Sequence, residues 1–202
     1  MSKHLPPAFF NSPTEKVAKN LLGQILVRSH RGKILKGVIT EVEIYDGFED
    51  KASHASRGQT PRNAPMFGPP GHWYIYLVYG MYWMLNIVTR EKGYPAAILI
   101  RGTERHRGPG KVTRHFHINK TLNGTLAHPD SGVWIERNPE KIIGKVKKGA
   151  RIGIDYAGPY WTRRAWRYSL ILRPNGGEVQ ATQNKKKSRN NKGRSKSLNQ
   201  KS

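Results

Sequence analysis

Glu41, Glu43 and Tyr45 recur at alternate positions of one apolar segment, and an imidazole follows in the next polar stretch at His54. In a strand, successive side chains point to opposite faces. Val38, Thr40, Val42 and Ile44 are therefore expected on one face, and Ile39, Glu41, Glu43 and Tyr45 on the other. A carboxylate beside an aromatic ring, ahead of a loop that carries a histidine, can set a general base over a pocket. The same residues also suit a solvated strand face, where glutamates ordinarily sit.

A second concentration of chemistry runs from Trp73 to Trp83, where Tyr74, Tyr76, Tyr79 and Tyr82 combine ring faces with polar tips. Such rings can stack nucleobases, at roughly 1–3 kcal/mol per base, or fill a core with their hydroxyls at its rim. Gly80, between Tyr79 and Met81, predicts a sharp turn whose side chains project as a wedge able to unstack DNA. Asn86 and Arg101 each bring a polar group toward an apolar strand and need a partner there. Gly108–Pro109–Gly110–Lys111 could meet a phosphate at a helix start, but it lacks the spacing of a nucleotide-binding P-loop. Asp46, Glu49, Asp50 and His54 fit neither an EF-hand nor a zinc spacing, so no metal site is expected. The chain has no Cys, which excludes disulfides, thiolate metal sites, cysteine nucleophiles and the zinc-deaminase signature.

The elements that must position these groups read as a mixture. Ser12, Pro13, Thr14 and Glu15 have the form of a capping box, followed by an apolar stripe at Val17, Ala18, Leu21 and Leu22 that Gly23 ends. Gln24–Arg28 and Ile34–Tyr45 predict two strands around a tight turn at His30–Gly32. Asp46–Pro70 is a long loop, a feature that is commonly functional in compact domains. His72–Tyr79, Tyr82–Thr89 and Ala96–Arg101 predict three more strands, and a helix is expected from Gly108 through Phe116. Val133–Ile135, Arg151–Ile154 and Arg167–Leu172 are further strand candidates. Without a regular βα alternation, the expected class is α+β: a single domain with a curved, mostly antiparallel β-sheet and flanking helices.

Charge supplies the partner. The 202 residues carry 36 Lys and Arg against 13 Asp and Glu, a formal charge of +23. Residues 183–202 hold eight of the bases and no acid, and read as a disordered basic tail. The remaining 28 bases and 13 acids leave +15 on the body, residues 1–182, which is read as one domain. Such an excess favours nucleic acid, through phosphate neutralisation and counterion release. A ribosome-associated protein or a binder of anionic membranes would carry similar charge. The apolar stretch near Trp73–Val88 is broken by Gly80 and Asn86 and does not read as a membrane span. The first residues lack an apolar secretory core, so an intracellular protein is expected.

Several blocks in consistent order, TEVEIYDG at 40–47, EDKASH at 49–54, TPRNAPMF at 60–67, YIYLVYGMYWMLNI at 74–87, and GPGK at 108–111 followed by INK at 118–120, resemble the alkyladenine (3-methyladenine) DNA glycosylases. These are the methylpurine glycosylases of the type without a helix-hairpin-helix. The resemblance spans roughly Thr14–Leu172. It implies hydrolysis of the N-glycosidic bond of alkylated or deaminated purines in double-stranded DNA, after extrusion of the base, as a step of base excision repair. By the matching motifs, Glu43 is implied as general base, with Arg101 and the carbonyl of Ile152 helping to hold the attacking water. Tyr45, His54 and Tyr76 are implied as walls around the extruded base, Asn86 as the group that rejects normal guanine, and Tyr79 as the residue inserted into the duplex. The same motifs imply Thr60, Arg62, Met81, Tyr82, Lys111 and Lys120 as DNA contacts. The scheme needs no metal or organic cofactor, and a monomer suffices. It places the protein with DNA, in cytoplasm or nucleoid, or in the nucleus of a eukaryote. Two alternatives stand beside it: a lysine nucleophile such as Lys111 or Lys120, and a nucleic-acid binder with the same sheet and no catalysis.

Overall fold

A computed structural model describes residues 3–140 and 144–172. The basic tail at 183–202, and with it the boundary drawn at 182, lies outside the described residues.

The fold is built around one long strand. β1 (Ile25–His30) and β2 (Lys33–Asp46) form a hairpin through Arg31 and Gly32, both at positive φ (48° and 73°), the backbone that a two-residue turn matched to strand twist requires. Beyond this hairpin β2 continues and pairs on one side with β5 (Ala96–Thr103) and on the other with β8 (Arg167–Leu172). The sheet runs β3–β4–β5–β2–β1–β6, where β3 is Trp73–Val78, β4 Tyr82–Val88 and β6 Val133–Glu136. β7 (Gly144–Gly149) closes on β8. Every ladder is antiparallel, so the expected α+β class and curved antiparallel sheet are what the chain forms.

Strict alternation along β2 fails at one place. The β2–β5 register shifts between Ile39 and Glu41 and again between Glu41 and Val42, a bulge that bends the strand. Ile39 therefore points into the main core with Val42 and Ile44, not onto the face of Glu41, Glu43 and Tyr45 as the simple period predicts. Gly102 makes the bend possible: a Cβ there would lie 3.2 Å from the Cβ of Glu41. The core that fixes the register is packed by α2 (Thr14–Leu21) and α3 (Pro109–His115), through Val17, Ala18, Leu21 and Val112, with Phe116 just past α3.

Two local expectations are corrected, and three further elements form that the pattern does not predict. The capping box does not form, because the helix begins at Thr14 with Pro13 at the cap, and a proline nitrogen has no proton for a reciprocal bond. Glu15 instead accepts from Tyr168 Oη (2.7 Å) and Trp166 Nε1 (3.1 Å), while Thr14 donates to Asp46 (3.0 Å). Arg151–Ile154 is irregular chain, with Gly153 at φ 75°. β7, of sequence GKVKKG, gives no hydrophobic pattern and forms through its backbone ladder to β8. Two short helices, α1 (Pro7–Phe10) and α4 (Pro159–Arg163), also escape the periodic reading. Among the described residues no helix is long and apolar enough to cross a membrane.

One buried ion pair ties the loop after β2 to the irregular 151–154 segment. Arg151 donates to Asp50 at 2.5 and 2.8 Å and to the Ile44 carbonyl at 2.7 Å, with both charged side chains fully buried. Its guanidinium also lies against the rings of Tyr45 and Trp166, at 4.9 and 5.1 Å. Removing one partner leaves an uncompensated buried charge, so Asp50→Ala is expected to lower unfolding free energy by about 3–5 kcal/mol. Urea denaturation of the variant checks this; a loss below about 1 kcal/mol, the level of an exposed pair, would contradict it.

Candidate active site

Glu43 is the buried acid at the centre of the sheet, with no exposed surface. Its Oε1 accepts the backbone N–H of Ile152 (2.8 Å); its Oε2 accepts from Tyr45 Oη (3.1 Å) and Arg101 Nη1 (3.3 Å). Ile152 thus meets Glu43 through its N–H, a contact separate from the water-holding role implied for its carbonyl. A carboxylate offers about four lone-pair sites, and these donors occupy three of them. Burial pushes the Glu43 carboxyl above the ordinary glutamate range, and Arg101, the Ile152 N–H and Tyr45 oppose that rise. Glu41, within the bulge, is drawn elsewhere, to Arg167 (3.0 Å) and Arg101 Nε (3.6 Å).

In front of Glu43 lies a cavity of about 510 Å³, within the ~300–1,000 Å³ of typical small-molecule sites. Glu43 does not itself line it; Tyr45, Arg101 and Ile152, the three residues that hold Glu43, do. Tyr76, from β3, meets His54 edge-on with ring centroids 4.5 Å apart. His54 Nδ1 lies 2.7 Å from Tyr74 Oη. Burial, then the nearby Arg62 charge, push the His54 imidazole down, which favours a neutral ring. Burial, then the Glu43 charge, hold the Tyr45 phenol well above its ordinary range, and burial does the same to Tyr76. Both therefore stay neutral donors. Asn86, from β4, also lines the cavity; its Nδ2 donates to the carbonyls of Tyr74 (3.0 Å) and Met84 (3.2 Å). With its donors committed, what that side chain can still offer is an acceptor oxygen.

The mouth is set by the β3–β4 turn. Tyr79 and Gly80 both have positive φ (51° and 65°), and Tyr79 is 86% exposed and Met81 66%. A tyrosine in the left-handed region is held at steric cost, a state that persists where the surroundings over-determine it. Tyr82 packs on α3: a Cβ on Gly110 would lie 2.7 Å from its ring. Gly110 thus serves close packing, Pro109 lines the cavity, and Lys111 is exposed on the first turn of α3. Arg62 lines the cavity, donates to the Leu77 carbonyl (3.1 Å) and lies over the Tyr76 ring at 5.5 Å. Thr60 exchanges hydrogen bonds with Asn63 (2.6 and 3.3 Å) and closes the loop. Lys120 sits exposed in a turn at Lys120–Leu122 and does not line the cavity.

Two positioning residues, Asn63 and Tyr156, escape sequence reasoning, and Tyr74, read there only as one of a run of rings, has a definite role. Asn63, buried, donates to the carbonyls of His54 (2.8 Å) and Gly58 (3.0 Å) and so fixes the histidine wall. Tyr74 holds the His54 ring, and Tyr156 lines the cavity and donates to the Ala52 carbonyl (3.1 Å). An Asn in a polar loop is a signal for Asn63, but its partner cannot be read from spacing. Of the implied walls and catalytic groups, Tyr45, His54, Tyr76, Asn86, Arg101 and Ile152 converge on this one cavity.

The Glu43 environment makes a spectroscopic prediction. Side-chain carboxyl ¹³C titration should place its midpoint above the ordinary glutamate range, and Tyr45→Phe should raise it further, because a donor to the charged form is lost. A midpoint that falls in Tyr45→Phe would contradict the assigned hydrogen bond.

The methylpurine-DNA glycosylase family model matches residues 8–173. A protein of Sodalis glossinidius, named "Putative 3-methyladenine DNA glycosylase", is 47% identical over 177 residues, covering 83% of this chain and 96% of its own. Proteins of the same name from Methanocella arvoryzae and Chlorobaculum parvum are 41% and 36% identical, covering 81% and 92% of this chain and 90% and 96% of theirs. With most of its length inside these matches, the chain belongs to the methylpurine-DNA glycosylase family.

Proposed function

We propose that the protein excises damaged purines, alkylated or deaminated, from duplex DNA by hydrolysis of the N-glycosidic bond, leaving an abasic site. The observation that carries this reading is a fully buried Glu43 behind a ring-walled cavity, held by three donors whose residues line that cavity.

The glycosidic bond of a stacked nucleotide is out of reach, so the target must leave the helix at a cost of a few kcal/mol, least for damaged or mispaired bases. Tyr79, projecting from the β3–β4 turn with Met81 and Tyr82 beside it, fills the space that the nucleotide leaves. The base then lies among Tyr45, His54 and Tyr76. A cationic alkylated purine gains cation–π attraction from tyrosine faces; a neutral deaminated purine requires more help at the leaving group. Asn86 crowds the exocyclic amino group of a normal guanine. As the bond breaks, positive charge develops on the sugar, and the Glu43 carboxylate stabilises it while taking a proton from the attacking water. Arg101 and the Ile152 N–H hold the carboxylate in place for that step. Arg62, Thr60, Lys111 and Lys120 contribute to the DNA-facing surface.

Water is the nucleophile and the enzyme is monofunctional in this reading. Among the described residues, the cations that line the cavity are Arg62 and Arg101, and no lysine does. One extruded base needs one pocket, so a monomer suffices.

Glu43→Gln should lower single-turnover excision from a duplex with one alkylated purine or hypoxanthine by about 10²–10⁴-fold. Equal product from both proteins would remove Glu43 from the mechanism. Excision by the parent should persist in EDTA, and borohydride should trap no protein–DNA adduct; an adduct would establish an amine nucleophile. Tyr79→Ala should lose more on well-paired lesions than on mismatched ones, and equal losses would argue against a wedge.

A further inference from the structure

The outer end of the β1–β2 hairpin carries a second concavity of about 270 Å³, lined by His30, Arg31, Lys33, Leu35 and His117. Four of these five side chains are bases and none is an acid. The rings of His30 and His117 stack with centroids 4.5 Å apart and planes 18° from parallel. Behind them Arg28 is only 9% exposed; its Nη1 donates to the carbonyls of Ser29 (3.0 Å) and Gly132 (2.9 Å), and its Nε has no partner. Among the described residues, Arg28, Arg31 and Lys33 form no ion pair. A buried cation without a counter-ion is unfavourable in isolation, and here the adjoining pocket adds four more basic side chains.

The backbone points the same way. Arg31 and His117 both sit in the left-handed region, at φ 48° and 49°. Asn or Gly would hold either position at lower steric cost, so the basic side chains are present despite the local geometry. Arg28 Nη2 lies 3.5 Å from His30 Nδ1. A guanidinium can only donate, so in this contact Nδ1 accepts and Nε2 is the nitrogen of a neutral ring that carries the proton. Burial first, then the charges of His117, Arg28 and Arg31, push the His30 imidazole down; a bound anion would reverse the charge contribution.

We propose that this pocket binds a phosphate of the DNA backbone outside the active-site cavity, through Arg31, Lys33, His117 and the Nε2–H of His30. It rests on the reading that duplex DNA is the partner. α3 connects the two sites: Pro109 lines the active-site cavity, and His117 follows the other end of a helix about 10 Å long. That length is on the order of three base-pair steps at ~3.4 Å each.

The test uses binding to an undamaged duplex, so that no base is excised and failure of the pocket is separable from failure of the Glu43 chemistry. Fluorescence anisotropy over a salt series gives the slope of log K against log[salt] for the parent, Arg31→Asn, His117→Asn and Lys33→Gln. Losing the one phosphate contact flattens the slope by about one unit at most, so Arg31→Asn and Lys33→Gln should each flatten it by part of that unit, and His117→Asn should weaken binding. Asn tolerates the left-handed backbone, so Arg31→Asn and His117→Asn should melt no lower than the parent. In parallel, inorganic phosphate is titrated against the His30 and His117 imidazole signals by NMR, and movement of both supports an anion site. Parental slopes in all three variants would overturn the proposal. Unchanged slopes with signals moved by inorganic phosphate would assign the pocket to a free anion and equally overturn the DNA assignment.

Discussion

Everything at the active site depends on keeping an ionisable carboxyl inside a sheet without neutralising it permanently. Burial alone favours the protonated acid, and three donors around Glu43 work against that: a guanidinium, a phenol and a backbone N–H. These effects oppose one another within one site. Burial leaves the carboxylate a stronger base than a solvated glutamate, and the donors keep its ionised form accessible. A fully satisfied carboxylate would be inert; a bare one would remain protonated. The three-donor cage lies between those limits.

That cage is assembled from parts distant in sequence, and the rest of the fold explains how they stay in place. Tyr45 shares β2 with Glu43, Arg101 comes from neighbouring β5, and the Ile152 N–H comes from an irregular segment. Irregular chain is a poor holder of a hydrogen-bond donor unless something fixes it. The buried Arg151–Asp50 pair does so, and because Asp50 lies shortly before His54 it also fixes the loop that supplies a cavity wall. The bulge at Ile39–Val42 completes the arrangement by sending Ile39 to the core while Glu43 and Tyr45 remain on the cavity side.

Much of this was legible in the residue pattern, in proportion to how local each feature is. The strands that carry Glu43, Tyr76 and Asn86 follow from alternation and apolar runs, and the exposed turn at Tyr79–Met81 follows from Gly80 between two strands. Features set by long-range pairing were not legible. Glu15 has a place in a capping box by spacing, yet it is taken by Tyr168 and Trp166, far along the chain. β7 exists because β8 offers it a ladder, and Arg151–Ile154 fails as a strand because its work is to bend under Glu43. The roles around the cavity came from a family resemblance; periodicity alone favoured a solvated face for Glu43.

The most direct measurement joins chemistry to ionisation: single-turnover excision of an alkylated purine across acidic to neutral pH, beside a titration of the Glu43 carboxyl in the same protein. If the ionised carboxylate is the base, excision falls as pH drops through the raised Glu43 midpoint, and the two midpoints coincide. Excision that continues undiminished well below that midpoint, with Glu43 protonated, would contradict it.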